Sequence, residues 1–141
     1  MSKYLLVIYG VLLSISSCFS ELPKKIEITS FLAVEDIEFS QIFTQNSLHY
    51  LLYFYSDICG HCLRIKDTIL DFYYSYKGNM YFVNADKGVA IGKDRSALIG
   101  VNNLDNFYIL GTPSLFTIDY HKITNYYLGE QEILEYIKTA K

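Results

Sequence analysis

The sequence predicts an α/β fold, and three patterns carry that prediction. Residues 50–55 form an unbroken apolar and aromatic run ended by Ser56-Asp57, which fits a strand buried on both faces, as in the middle of a parallel sheet. Directly after it, Cys62, Ile65, Ile69, Phe72 and Tyr76 recur three or four residues apart, with Arg64, Lys66, Asp67 and Asp71 mostly between them. That is the spacing of an amphipathic helix. Further on, apolar stretches at 114–118 and 123–128 are joined by Asp119-Tyr120-His121-Lys122, short enough for a hairpin, and a last helical pattern follows. Strands alternating with helices, closed by a hairpin and a helix, make an α/β sandwich. The 141 residues are one domain's worth.

Taken in order, the chain begins with a segment set apart from the fold. Lys3 gives a weakly basic start, residues 4–15 are apolar except for Gly10 and Ser14, and Ser16, Ser17 and Cys18 follow. A charged end, an apolar centre and then small residues are the layout of a secretory signal, assigned here to residues 1–20. The run is shorter than the roughly 20 residues a bilayer span needs, which favours a signal; a single-pass anchor, with the run extended by the flanking serines and Phe19, is the alternative. Ile15-Ser16-Ser17-Cys18 resembles the bacterial lipobox, in which the Cys is lipidated and becomes the mature N-terminus. The other reading is an ordinary cut near Ser20 that discards Cys18. Lipidation of Cys18 is preferred, because an odd third Cys in an exported chain otherwise needs an explanation.

Residues 21–30 read as a tether with a first strand at 26–29, which opens a domain over 26–141. Residues 33–43 predict a helix, with Val34, Ile37, Phe39, Ile42 and Phe43 as its apolar stripe and Glu35, Asp36 and Glu38 near its positive end. Asn46-Ser47 breaks that pattern, and Lys77-Gly78-Asn79 ends the helix after the cysteines. A strand is expected at 80–83, and residues 86–110 read as one or two short helices with loops. Gly129 opens the final helix, with Ile133, Leu134 and Ile137 on one face. His49 reads as a strand-edge residue and His121 as a solvent-exposed turn residue. The net charge of −3 is mild and no Lys/Arg stripe exists, which argues against nucleic acid as a partner.

The chemistry lies in Cys59-Gly60-His61-Cys62, between the strand and the helix. A dithiol exchanges disulfides when one sulfur is an accessible thiolate and the other resolves the mixed disulfide. Cys59 falls at the helix start, where unpaired N–H groups and the macrodipole favour an anion, and Cys62 falls one turn along on the buried stripe. An imidazole at His61 can donate to the Cys59 thiolate or place positive charge beside it, which stabilises the reduced form and makes the pair more oxidising. A structural disulfide between the two cysteines is the plainer alternative in an exported chain. A zinc site lacks a second cysteine pair, and His49 and His121 are thin support for one, so no metal is expected.

This segment resembles the thioredoxin superfamily, and the redox motif is similar to that of protein disulfide isomerase domains, which is also Cys-Gly-His-Cys. Gly111-Thr112-Pro113-Ser114-Leu115-Phe116 is similar to the family's cis-proline segment. The resemblance implies a thioredoxin-like fold, a central mixed sheet flanked by helices with a cis-Pro loop beside the redox motif. It implies Cys59 and Cys62 as the catalytic pair, Gly60 and His61 as tuning positions, and Ile58, Thr112 and Pro113 as substrate-binding. Three departures stand out: Ile58 replaces the usual Trp, Tyr53 takes the place of the buried acid as a candidate proton relay, and Asp67 replaces a helix-kinking proline.

The function expected is therefore that of an exported thiol–disulfide oxidoreductase, with no cofactor beyond the Cys59–Cys62 disulfide. Its partners would be protein substrates bearing thiols or disulfides, and a redox-recycling partner. The chain is expected to be a monomer, held at the outer face of the cell membrane as a lipoprotein or else secreted or lumenal in a secretory compartment. The competing reading is a thioredoxin-fold binding or accessory protein with a mainly structural Cys59–Cys62 disulfide.

Overall fold

The computed structural model describes residues 34–140. The signal assigned to 1–20 with Cys18, the tether at 21–30 and the strand at 26–29 lie outside the described residues.

Four strands and two helices form where the apolar pattern placed them. Strand β1 (His49–Tyr55) is followed by α1 (Gly60–Ser75), β2 (Asn79–Asn84), β3 (Ser114–Asp119), β4 (Lys122–Leu128) and α2 (Gly129–Thr139). The sheet runs β2-β1-β3-β4. Strand β1 pairs parallel to β2 and antiparallel to β3, so the sheet is mixed, and the double burial of β1 comes from its central place. Alternation along β1 sends Tyr50, Leu52 and Phe54 to one face and Leu51, Tyr53 and Tyr55 to the other. The second face is covered by α1 and α2 through Cys62, Ile65, Ile69, Phe72, Ile133 and Ile137. The first is covered by irregular chain, with Phe107 at its centre against Phe39, Phe43, Phe54 and Phe116.

The helix expected at 33–43 does not form. Glu35 and Ile37 instead bond to the outer edge of β2: Phe82 N–H donates to Glu35 O at 3.0 Å and Ile37 N–H to Phe82 O at 2.8 Å. An edge strand has a row of backbone donors and acceptors to satisfy, and that demand outweighs the local helical pattern. Helical structure there is limited to a 3-10 turn at Phe39–Gln41, closed by a Glu38/Gln41 capping box. Ile42, fully buried, and the half-buried Phe39 and Phe43 anchor the segment to the core, which is why they mimicked a helical stripe.

The 86–110 connection has short 3-10 turns flanking its start and middle, at Ala85–Lys87 and Ser96–Leu98. It covers the other sheet edge, where Gly100 N–H donates to Ile123 O (2.8 Å) and Ile123 N–H to Val101 O (2.9 Å). Arg95 pins it in place, pairing with Glu132, donating to Tyr126 O at 2.5 Å and lying 5.2 Å from the centre of the Tyr126 ring. At the β3–β4 hairpin, Tyr120 and His121 both take left-handed backbone (φ 49 and 61), the geometry of a two-residue hairpin turn. His121 is half-buried, with its ring tilted on Tyr50 at 6.4 Å, rather than solvent-exposed.

Candidate redox site

The site begins where β1 runs out. Cys59 N–H donates to Ser56 O (3.2 Å) and Ile58 N–H to Ser56 Oγ (3.3 Å), forming the turn that leads into α1. Asp57 is tied to the end of β2 and beyond: its N–H donates to Asp86 Oδ2 at 2.9 Å, and Asn84 Nδ2 donates to its carboxylate at 2.9 Å. The loop before the first cysteine is therefore fixed from two elements. Ile58 itself is 89% exposed, an aliphatic side chain standing open beside the thiol.

Cys59 is the N-cap of α1 (φ −85, ψ 108). Its Sγ accepts from Cys62 N–H at 3.1 Å, and its thiol donates to Thr112 O at 3.3 Å. A capping sulfur takes the place of the usual hydroxyl or carboxylate and satisfies an orphan donor of the first turn. Cys62 is only 2% exposed, and Cys59 is half-buried; both are free thiols. Burial first, and then the hydrogen bond with Cys59, pushes the Cys62 thiol up to about 12. The two sulfurs therefore have different environments: one is reachable and bonded by a helix N–H, the other is sealed and held protonated.

Thr112–Pro113 is a cis peptide bond, and the loop that carries it lies beside Cys59. Its supports come from the hairpin and α2. Gly129 N–H donates to Pro113 O at 2.9 Å, with Gly129 at φ +77, a conformation that favours glycine. Beneath the loop, the Tyr126 hydroxyl accepts from Leu110 N–H (3.1 Å) and meets Ser114 Oγ (2.9 Å), which donates to Gly111 O (2.5 Å).

Tyr53 is fully buried behind the pair, edge-on to Phe82. Burial, followed by the charges of Cys62, Cys59 and Glu130, raises its phenol well above the ordinary tyrosine value. It is a neutral group at any working pH, so it serves as a polar wall and not as an ionised base. At Gly60 an added Cβ would meet nothing nearer than Arg64 Nη1 at 3.8 Å, so space alone does not demand glycine there.

His61 departs from expectation. Its Nδ1 lies 2.6 Å from Glu130 Oε1, at the first turn of α2, and 2.5 Å from Arg64 Nη2. Arg64 Nε also donates to Glu130 Oε1 at 2.8 Å. The bonds at Cys59 Sγ go to Cys62 and Thr112, and the imidazole is engaged by the α2 carboxylate. Arg64 and then His61 hold the Glu130 carboxyl below its usual range. Sequence reasoning missed Arg64, Glu130, Tyr126 and Asp57. The one signal available was the spacing of His61 and Arg64, three apart on one helix face.

An accessible thiol at a helix start, a buried thiol one turn behind it and a cis-proline loop alongside define a dithiol domain on an α/β sheet. The chain belongs to the thioredoxin family: the thioredoxin family model matches residues 30–138. Among solved structures, oxidised thioredoxin from Plasmodium falciparum is 22% identical, covering 77% of this chain and 99% of its own, with a TM-score of 0.53. Mitochondrial thioredoxin 3 from Saccharomyces cerevisiae is 13% identical, covering 77% and 97%, with a TM-score of 0.53. Reduced Schistosoma mansoni thioredoxin is 17% identical, covering 76% and 99%, with a TM-score of 0.51. No curated protein matches the chain in sequence. At these identities the likenesses establish the fold, which is thioredoxin-like.

Proposed function

We propose that this protein is an exported thiol–disulfide oxidoreductase of the Cys-Gly-His-Cys type, exchanging disulfides with extracytoplasmic protein substrates. The observation that carries the reading is the asymmetry of the pair: Cys59 is reachable and accepts a helix N–H at 3.1 Å, while Cys62 is 2% exposed.

The chemistry follows from that asymmetry. The Cys59 thiolate attacks a substrate disulfide, forming a mixed disulfide and releasing one substrate thiolate. Cys62 then loses its proton and attacks Cys59 Sγ, releasing the second substrate thiol and closing the Cys59–Cys62 disulfide. Run backwards, the same steps oxidise a substrate dithiol. The cis-proline loop supplies the wall against which an extended substrate lies, with Thr112 offering main chain, Pro113 the face of its ring and Ile58 an apolar rim. No cofactor enters these steps, and a separate redox partner must restore the pair after each one-way turnover. Export rests on the N-terminal pattern, with Cys18 as its candidate lipidation site.

The test is a Cys62→Ala protein expressed with its own leader, which should trap clients as mixed disulfides on Cys59 in the extracytoplasmic fraction. Insulin reduction and refolding of reduced ribonuclease then give the direction. A Cys59→Ser protein that retains its cellular role would overturn the reading in favour of a binding module.

A further inference from the structure

Three segments meet at the open thiol: the start of α1, the cis-proline loop and the start of α2. Gly129 N–H donates to Pro113 O at 2.9 Å, and the next residue, Glu130, reaches back across to α1. Its Oε1 lies 2.6 Å from His61 Nδ1 and 2.8 Å from Arg64 Nε. Nδ1 cannot accept from Arg64 and donate to Glu130 at once. Arg64 Nη2 also lies 2.5 Å from Glu130 Oε1, so Arg64 can spend its protons on the carboxylate, and with Nδ1 donating there too no nitrogen lone pair faces an oxygen. An imidazole fastened in this way is aimed at α2, although it sits two residues from Cys59 in the chain.

We propose that Glu130 is a positioning residue that keeps the Cys59–Cys62 couple reducing by holding His61 away from the Cys59 sulfur. The inference rests on the redox reading above and adds the group that sets the direction. In the reduced state Cys59 can carry negative charge, whereas the disulfide carries none. A donor brought to that sulfur stabilises the reduced state and raises the potential; a donor held elsewhere leaves the potential low. The Glu130 carboxylate sits beside the start of α1, 2.6 Å from the side chain of the residue between Gly60 and Cys62. Its own negative charge works in the same direction as its grip on His61.

The experiment equilibrates the full chain with glutathione. Two glutathione thiols give two electrons and two protons to the Cys59–Cys62 disulfide, yielding the dithiol and glutathione disulfide. Glu130→Gln keeps the shape and removes the charge, and should shift that equilibrium toward the dithiol by about fivefold, or about 20 mV for a two-electron couple. In a His61→Ala background the same substitution should produce less than half that shift. If Glu130→Gln fails to fold, Glu130→Asp retracts the carboxylate by one methylene and reads the same release of His61. No shift, a shift toward the disulfide, or an undiminished shift without His61 overturns the inference. A wild-type pair that never equilibrates with glutathione overturns the redox reading along with it, whereas a pair that equilibrates but ignores Glu130 overturns the inference alone.

Discussion

Cys59 and Cys62 are chemically identical and made unequal by one turn of helix. The first sits where backbone donors are unsatisfied, the second where solvent is excluded. Iodoacetamide should therefore modify Cys59 first, and peptide mapping of partly labelled protein should find Cys62 carrying label only after unfolding. Comparable labelling of both in the native protein would contradict the burial. The resolving step has its own pH signature. The Cys62 thiol, with an ordinary value of 9.0, is pushed up to about 12, so at neutral pH almost none of it is thiolate. Below that value the thiolate fraction grows tenfold with each pH unit. Burial, the larger cause of that rise, persists when Cys59 is held in a mixed disulfide, so release of a chromogenic thiol from it should accelerate steadily from about pH 6 to about pH 9. A plateau below about pH 8 would mean that a base inside the site takes the proton. Tyr53 cannot be that base, since burial keeps it neutral over the whole interval.

Elements show what the sequence could and could not declare. Strand β1 and helix α1 were legible because their signals are local: β1 is a continuous apolar run bounded by Ser56-Asp57, and α1 has a stripe recurring every three or four residues. The edge segment at 35–37 was not, because its partner Phe82 lies in another element and its apolar residues satisfy a helical template equally well. The same reason hid the direction of His61, whose partner Glu130 is 69 residues away. Tyr126 was hidden likewise: its place opposite Phe116 follows from strand register, and only that register brings its hydroxyl under the cis-proline loop. Tyr126→Phe should cost about 1–3 kcal/mol in urea unfolding, because Leu110 N–H loses its acceptor in a half-buried place. A neutral result would mean that water replaces the phenol. The hairpin predicts the opposite sign. His121 occupies left-handed backbone at φ 61, which penalises a side chain. His121→Gly should stabilise the protein by about 1 kcal/mol, less whatever its contact with Tyr50 contributes.

For the whole molecule the decisive fact is that two cores share one sheet. Tyr50, Leu52 and Phe54 belong to the core under the irregular connection, and Leu51, Tyr53 and Tyr55 to the core under the helices, so alternate residues of β1 build both. Neither layer can lose its packing without releasing the strand that the other needs. The redox site depends on the same coupling: Cys62 belongs to the helical core, while the cis-proline loop hangs from Tyr126 in the other. Phe107 lies on the face away from the thiols, where it touches the edge segment, β1 and β3 at once. Phe107→Ala should therefore cost about 3–5 kcal/mol, as large aromatic truncations in cores do. The loss should appear equally in far-UV circular dichroism and in the denaturant dependence of Cys62 labelling, although Cys62 lies on the opposite face. Coincident midpoints for the two probes, both lowered together, are the outcome a single cooperative unit requires. If Cys62 kept its protection after the circular dichroism signal had collapsed, the helical layer would be a separate folding unit, and the shared strand would not couple the two faces.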